Sequence, residues 1–286
     1  MYNTHINKLI SKRPGVTWNL EWRFKMSQAN IQFSTLLSSA VEQPGIISEA
    51  YSAFHNYSLG NVMAAAFQCA ARGIQLGPIA SYKAWTEKGR QVKKGEKAIA
   101  LCMPITMKSE KENKSTGETE EHVFSRFVWK NNWFVLSQTD GEDYANEITI
   151  PVWDKEIALK ALGITEGTFN HHDGNTQGYA SGTSIAINPL AQYPHKTRFH
   201  ELAHVVLGHT QEHTMDDSDT TPRDIREVEA ESVAYILCSL LGLPGLDESR
   251  GYIQGWLRSA EIQEKSAQKI FSAADKILKA GQIKAE

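Results

Sequence analysis

The chain has 286 residues, of which 41% are hydrophobic and 22% are charged, and its formal net charge is −3. These proportions are typical of a soluble globular protein with one large or two ordinary domains. No stretch approaches the roughly 20 apolar residues of a membrane span, and the first ten residues contain no apolar segment of the signal-peptide kind. The three cysteines are far apart, form no CxxC pair and favour a reducing compartment. We therefore predict a cytoplasmic protein without membrane contact.

Charge is distributed unevenly along the chain. Residues 1–150 carry 17 basic and 14 acidic side chains, a net +3, whereas residues 151–286 carry 13 and 19, a net −6. Within residues 1–108 the counts are 13 and 5, a net +8. This asymmetry predicts two domains with different tasks, residues 1–150 and 151–286, with the second starting at Pro151. Nucleic acid is the usual partner of such a basic half.

The amino-terminal half alternates between helical and strand-like patterns. Apolar spacing and turn residues predict two helices and then three strands, over residues 26–41, 59–71, 99–106, 123–129 and 133–136. We expect the last two strands to pair across the polar residues 130–132. The charged stretch at 108–121 is interpreted as a hairpin tip. The mixture predicts an α+β domain.

The carboxy-terminal half is predicted to be mostly helical. Its elements are a helix at 154–162, a strand at 178–188, two helices that carry histidine and glutamate motifs, and a last helix at 261–280. Gly242 and Pro244 are expected to end the second motif helix. The fold class predicted for the whole chain is therefore α+β.

Residues 81–97 are the most basic segment of the amino-terminal half, with six Lys or Arg and two Glu in seventeen residues. Gly89 and Gly95 permit close backbone approach, and Tyr82 and Trp85 offer flat rings on which unpaired bases can stack, at about 1–3 kcal/mol per base. Because no helix-turn-helix or zinc-finger pattern is present, single-stranded nucleic acid fits better than duplex. The predicted contacts are Lys83, Trp85, Arg90, Lys93, Lys94 and Lys97. The alternative is a solvated basic loop with Trp85 in the core.

The carboxy-terminal half contains an HExxH pattern, His200-Glu201-Leu202-Ala203-His204. On a helix, residues four apart lie on one face, so both imidazoles can reach one cation. Zinc favours such nitrogen ligands at about 2.0–2.1 Å. Glu201 lies one step round the helix, where its carboxylate can accept a proton from a metal-activated water. We predict a metal site here, with zinc as the ion and manganese or another divalent metal as alternatives.

A catalytic zinc needs a third protein ligand. Three candidates open the next helical run, and they are Glu227, Glu229 and Glu231. Glu227 and Glu231 share a helical face while Glu229 points elsewhere, and spacing alone does not choose among them. The longer metzincin pattern fails, because its glycine and histidine positions hold Leu207 and Thr210. His209 and His213 are therefore expected to be surface residues at the helix end.

At these glutamates the chain resembles the gluzincin metallopeptidases, in particular the small HExxH domains of phage, plasmid and mobile-element proteins. In that pattern the ligand is a glutamate directly followed by alanine, as in Glu229-Ala230. The resemblance therefore implies His200, His204 and Glu229 as metal ligands, with Glu231 as second choice for the third.

The amino-terminal half resembles the corresponding domain of ArdC-type antirestriction proteins of conjugative plasmids. The resemblance rests on three stretches, Asn56-Tyr-Ser-Leu-Gly-Asn61, Trp85-Thr-x-x-Gly-Arg90-x-Val-Lys-Lys-Gly-Glu-Lys97 and Trp133-Phe-Val-Leu-Ser-Gln138. It implies an amino-terminal domain that binds single-stranded DNA, followed by a zincin-like metallopeptidase domain. It further implies protection of incoming plasmid DNA from host restriction.

Two mechanisms remain open from the sequence. In the first, DNA binding delivers a metallopeptidase to a host restriction or DNA-processing protein, with Glu201 as the base and Tyr179 or Tyr235 as a candidate oxyanion partner. In this mechanism the strand at 178–188 pairs with an extended substrate. In the second, the protein protects DNA by coating it, and the metal is structural or the peptidase is idle.

Overall fold

The computed structural model of the protein describes residues 31–112, 119–144, 152–170, 175–211, 221–258 and 260–283. Its helices are α1 (Phe33–Glu42), α2 (Ile46–Phe54), α3 (Leu59–Arg72), α4 (Tyr82–Glu87), α5 (Lys155–Leu162), α6 (Pro194–Val206), α7 (Arg223–Leu241), α8 (Leu246–Leu257) and α9 (Glu264–Ala280). Its strands are β1 (Ile79–Ser81), β2 (Arg90–Val92), β3 (Ile99–Glu112), β4 (Thr119–Val135), β5 (Thr139–Gly141), β6 (Thr165–Gly167), β7 (Gly178–Ser181) and β8 (Ser184–Ile187). The prediction of mixed helix and strand is confirmed.

The amino-terminal sheet is antiparallel, with the strand order β1-β4-β3. Residues 123–136, predicted as two paired strands, instead lie mostly in the single strand β4, whose long partner is β3. The register places Ile99 opposite Trp133 but Ala100 opposite Asn131, so Asn132 is an extra residue. The polar residues 130–132 therefore mark a β-bulge inside a strand and not a turn between two strands.

The carboxy-terminal sheet has the order β6-β8-β7, in which β8 runs parallel to β6 and antiparallel to β7. The single strand predicted at 178–188 is a hairpin of β7 and β8. Gly182 sits in its turn with φ +56°, a left-handed conformation that glycine adopts without steric cost. Because β7 pairs with β8 alone, it is an edge strand of this sheet among the described residues.

Helix α9 organises the core, since it packs against α1, α3, α5, α6 and α7. Its amphipathic pattern buries one apolar face, including Ile270, Phe271 and Ile277. At the amino end of α9, Glu264 accepts hydrogen bonds from the backbone N–H groups of Phe33 and Ser34, both at 3.0 Å. One hydrophobic core therefore includes residues from both sides of the predicted domain boundary. Pro151, where we placed that boundary, lies outside the described residues.

The helix predictions were most accurate where a breaker follows the apolar pattern. Helix α1 ends at Glu42, before Pro44, and α7 ends before Gly242, which has φ +65°. The part of the first predicted helix at residues 26–30 lies outside the described residues. The short helices α2, α4 and α8 were not predicted. No helix in the described ranges is long and apolar enough to cross a bilayer.

Candidate metal centre

Helix α6 carries the HExxH pattern, and its position is fixed by its two ends, by its buried face and by an ion pair to β6. Pro194 occupies its first turn, where a missing N–H costs nothing, and the chain leaves the helix through Gly208 at φ +80°. Phe199 and Leu202 are fully buried in the core. Arg198 donates two hydrogen bonds, of 2.7 and 2.9 Å, to the carboxylate of Glu166 on β6. The remaining face of the helix presents the two histidines to α7.

Three potential ligand atoms converge between α6 and α7. His200 Nε2 lies 3.1 Å from His204 Nε2. Glu227 Oε2 lies 3.4 Å from the first of these nitrogens and 3.8 Å from the second. Among the described residues, His200, His204 and Glu227 form a group whose ligand atoms all lie within 4.8 Å of one another. The carboxylate of Glu227 on α7 thus lies beside the predicted histidine pair.

The structure does not bring Glu229, the expected third ligand, to this pair. Its carboxylate lies 2.9 Å from His209 Nε2 and accepts a hydrogen bond from the hydroxyl of Ser266 on α9. The physical reason is helical geometry: two residues along α7 rotate the side chain by about 200°, away from α6. Glu227 takes the position expected for Glu229.

Glu231, the second choice, lies on the outer side of His200. Its Oε2 is 2.9 Å from His200 Nδ1, and its Oε1 is 2.9 Å from Lys196 Nζ. Glu231 therefore contacts the ring nitrogen that points away from the convergence of ligand atoms. Such a carboxylate fixes the orientation of a ligand histidine.

His209 is not the surface residue that the sequence suggested. Only 6% of its side chain is exposed, and its Nδ1 lies 3.0 Å from His204 Nδ1. The backbone N–H of His209 donates to the His204 carbonyl at 2.8 Å. This tight turn folds His209 back beneath α6, a feature that the helical pattern did not reveal. His213 lies outside the described residues.

The group opens into a cleft of about 620 Å³ between α6, α7 and the edge strand β7. Gly178 allows this approach, because a Cβ there would lie 2.7 Å from Thr197 Cγ2 and 3.2 Å from Glu201 Cγ. Tyr179 lines the cleft. Tyr235, the other tyrosine considered, is a core residue whose hydroxyl donates to the Ala40 carbonyl at 3.3 Å.

Burial and mutual charge shift the proton affinities in the cleft. Burial raises the pKa of Glu201, and the neighbouring histidines only partly oppose this effect. Burial disfavours the charged form of His200, but hydrogen bonds to Glu227 and Glu231 outweigh it and raise the His200 pKa to about 9. The same hydrogen bonds from His200 and His204 hold the pKa of Glu227 well below its usual range.

Only some of the side chains predicted to contact DNA in the basic segment, residues 81–97, are exposed to solvent. Lys83, Lys93, Lys94 and Lys97 are exposed, although Lys93 Nζ also donates to the Ser137 carbonyl at 3.0 Å. Trp85, predicted to stack on bases, is 1% exposed.

Two of the predicted DNA contacts, Trp85 and Arg90, are hydrogen-bonded within the domain. The Trp85 indole N–H donates to the Phe134 carbonyl at 2.7 Å, which fixes the ring inside the domain. The Arg90 guanidinium donates to the hydroxyl and carbonyl of Thr139, at 2.8 and 3.1 Å, and to the carbonyl of Glu142. Tyr82, 48% exposed, is the ring of this segment that solvent reaches.

Comparison with known proteins identifies the amino-terminal part. Residues 38–134, which include the basic segment and run from α1 to β4, match the family model described as the N-terminal domain of anti-restriction factor ArdC. The chain carries an ArdC-type amino-terminal domain. The resemblance noted from the sequence is thereby confirmed for this part of the chain.

Two solved structures of the antirestriction ArdC protein from the R388 plasmid are similar to this chain. The metal-free structure has 24% sequence identity and a TM-score of 0.49, over 87% of this chain and 94% of that chain. The Mn(II)-bound structure has 20% identity and a TM-score of 0.49, over 88% and 98%. No curated protein matches the chain.

Proposed function

We propose that His200, His204 and Glu227 hold one divalent ion and that Glu227 replaces Glu229 as the third ligand. The observation that carries this proposal is the spacing of the three ligand atoms, 3.1, 3.4 and 3.8 Å. Tetrahedral ligands at 2.0–2.1 Å from zinc lie roughly 3.3–3.5 Å from one another. The donor set of two imidazoles and a carboxylate suits zinc, and manganese is an alternative that the Mn(II)-bound R388 structure makes worth testing.

The residues around this site suit peptide hydrolysis in a zincin-like carboxy-terminal domain. A divalent ion here supplies Lewis acidity toward water and a substrate carbonyl. Glu201 lines the same cleft, and burial raises its pKa above the ordinary value of a carboxylate, a shift in the direction that suits a general base. Its role is to accept the proton of the attacking water and pass it to the leaving amine.

The edge strand β7 suits an extended peptide as the substrate. Gly178, Tyr179 and Ala180 line the cleft beside His200 and Glu201. An extended chain can add to such an edge through backbone hydrogen bonds. The substrate is therefore a peptide segment that binds as an additional strand, with its scissile carbonyl near the histidine pair.

The amino-terminal ArdC-type domain binds single-stranded DNA, and the protein acts as an antirestriction factor that protects incoming plasmid DNA. The family of this domain and the exposed lysines of the basic segment support this function. Lys94 and Lys97 contribute electrostatic contacts to phosphates, and Tyr82 takes the stacking role that we had expected of Trp85. Each neutralised phosphate steepens the salt dependence, with a slope of about −0.7 per contact for single strands.

One antirestriction assay separates DNA coating from proteolysis. It compares wild type, Glu201→Gln and the double variant Lys94→Ala/Lys97→Ala, with Lys160→Ala/Lys276→Ala as a control of equal charge change on α5 and α9. We expect the Lys94/Lys97 variant to lose protection and single-stranded DNA affinity, while the control retains both. Unchanged DNA binding in the Lys94/Lys97 variant would refute the proposed surface.

The second candidate function is a DNA-tethered metallopeptidase that cleaves a host restriction or DNA-processing protein. The buried Glu201 beside the histidine pair favours it, because a coating protein has no need of a base in the cleft. If cleavage is the essential activity, Glu201→Gln abolishes protection while DNA binding and metal binding persist. If coating is sufficient, the same variant protects as well as wild type.

A further inference from the structure

We propose that His209 and Glu229 are positioning residues that hold the imidazole of His204 ready to ligate a divalent ion. The inference rests on the metal site proposed above. It assigns a role to the glutamate that the sequence favoured as a ligand and to a histidine that the sequence placed on the surface.

A continuous chain of hydrogen bonds runs from His204, at the proposed metal site, through His209 and Glu229 to Ser266. His204 Nδ1 lies 3.0 Å from His209 Nδ1, and His209 Nε2 lies 2.9 Å from Glu229 Oε2. The Ser266 hydroxyl donates to the other carboxylate oxygen of Glu229. The side chains of His209 and Glu229 are only 6% and 2% exposed. Water therefore has little access to replace these partners.

Ligation by His204 fixes the direction of every hydrogen bond in this chain. If His204 Nε2 gives its lone pair to an ion, the ring proton must reside on Nδ1. His204 Nδ1–H then donates to His209 Nδ1, which must accept. The proton of His209 consequently resides on Nε2 and is donated to the carboxylate of Glu229. One arrangement of protons satisfies all of these groups, and it is the arrangement that leaves the ligand nitrogen available.

Both backbone polar groups of His209, the N–H and the carbonyl, form hydrogen bonds. Its N–H donates to the His204 carbonyl, and its own carbonyl accepts from Arg226 on α7 at 3.2 Å. The Glu229 carboxylate is held between His209 and Ser266, so α7 and α9 both support the ring. The ring of His209 therefore has little freedom to turn away from His204.

The two ligand histidines thus differ in how they are oriented. His200 donates directly to the carboxylate of Glu231, whereas His204 reaches the carboxylate of Glu229 through the intervening imidazole of His209. Carboxylates that orient ligand histidines raise their basicity, and loss of such a partner typically lowers metal affinity about 10–100-fold. A purely structural hydrogen bond would affect stability without this loss of affinity.

The test measures zinc binding by calorimetry and imidazole protonation by ¹⁵N NMR in the full chain. His209→Phe keeps a ring in the cavity but removes the acceptor, and Glu229→Gln is the conservative variant. Ser232→Ala is the matched control, because Ser232 is also buried on α7 and its hydroxyl has no hydrogen-bond partner among the described residues.

We expect zinc affinity to fall about 10–100-fold in His209→Phe and by a smaller factor in Glu229→Gln, and to stay unchanged in Ser232→Ala. In zinc-bound wild type, His204 should be protonated on Nδ1 and His209 on Nε2. If His209→Phe does not fold, the affinity of Glu229→Gln and the wild-type spectrum decide. Wild-type affinity in both variants, or a His209 proton on Nδ1, would overturn this inference alone. Absence of zinc binding in wild type would instead overturn the proposed metal site, and the inference with it.

Discussion

Arg198 and Glu166 are joined by two hydrogen bonds, of 2.7 and 2.9 Å, that tie helix α6 to strand β6. Arg198 precedes His200 by two residues, so the pair anchors the helix immediately before the HExxH pattern. Both side chains are largely buried, with 11% and 19% exposed. The position of the first histidine therefore depends on an ion pair that lies outside the cleft.

Glu166→Gln should destabilise the protein by about 1.5–3 kcal/mol at pH 7, the usual worth of hydrogen bonds to a charged group. The hydrogen bonds from Arg198 hold the pKa of Glu166 below its usual range. Its stabilisation is therefore complete above the unfolded-state pKa of about 4.3 and is lost as the pH falls through the folded-state pKa. Urea unfolding of wild type and variant at pH 7 and below pH 4 measures this difference.

The exposed Glu156 provides the control, since it pairs with Lys155 at the surface. We expect Glu156→Gln to change stability by less than about 1 kcal/mol. A difference between wild type and Glu166→Gln that grows toward acidic pH would contradict the assigned direction of the pKa shift.

Much of the candidate metal site was predictable because one helix supplies most of its residues. The spacing of His200 and His204 requires only helical geometry, and the described structure places them together. The same geometry had grouped Glu227 with Glu231 and set Glu229 apart, which is the arrangement found. The alanine that follows Glu229 pointed to a residue whose carboxylate contacts His209 and not the histidine pair, because a local dipeptide carries no information about which face of α7 meets α6.

The remaining differences arise from contacts between distant parts of the chain. Burial of Trp85 depends on the Phe134 carbonyl, 49 residues later, and no local pattern predicts that hydrogen bond. The orientation of His209 depends on Glu229, 20 residues later. The β-bulge at Asn132 appeared as a turn because polar residues in an exposed strand and in a loop have the same composition.

Gly178→Ala should disturb the cleft and destabilise the protein by about 1–3 kcal/mol, because the added methyl group overlaps Thr197 and crowds Glu201. Thermal unfolding and zinc-dependent peptide cleavage measure the two effects. Gly251→Ala is the control, since a Cβ at that helical position meets no atom within 4 Å. The control should gain about 0.5–1 kcal/mol. Equal stability changes in the two variants would refute the proposed close approach of β7 to α6.

Substitution of Trp85 should mainly reduce the stability of the protein, whereas substitution of Tyr82 should mainly weaken DNA binding. Trp85→Ala removes a buried ring and should cost about 3–5 kcal/mol of stability. Tyr82→Ala should change stability little and weaken binding of a single-stranded oligonucleotide by about 1–3 kcal/mol. Thermal unfolding and fluorescence anisotropy measure these quantities. Wild-type affinity of Tyr82→Ala for the oligonucleotide would show that bases do not stack on Tyr82.

The buried cysteines should resist alkylation in the native protein. Burial raises the pKa of the Cys69 and Cys238 thiols to about 12. At pH 8 roughly one thiol in ten thousand is then the reactive thiolate. Mass spectrometry after treatment with iodoacetamide should show both cysteines unmodified in the folded chain and modified in urea. Labelling of native Cys69 at the rate of the unfolded chain would show that the thiol is accessible.

The position of a bound ion distinguishes Glu227 from Glu229 as the third ligand of the proposed site. Anomalous diffraction at the zinc edge, from crystals of the full chain grown with Zn²⁺, gives that position without reference to activity. We predict one ion about 2.0–2.2 Å from His200 Nε2, His204 Nε2 and a carboxylate oxygen of Glu227, with Glu229 still bonded to His209. An ion ligated by Glu229 in place of Glu227, or no ion at the histidine pair, would contradict the proposed metal centre.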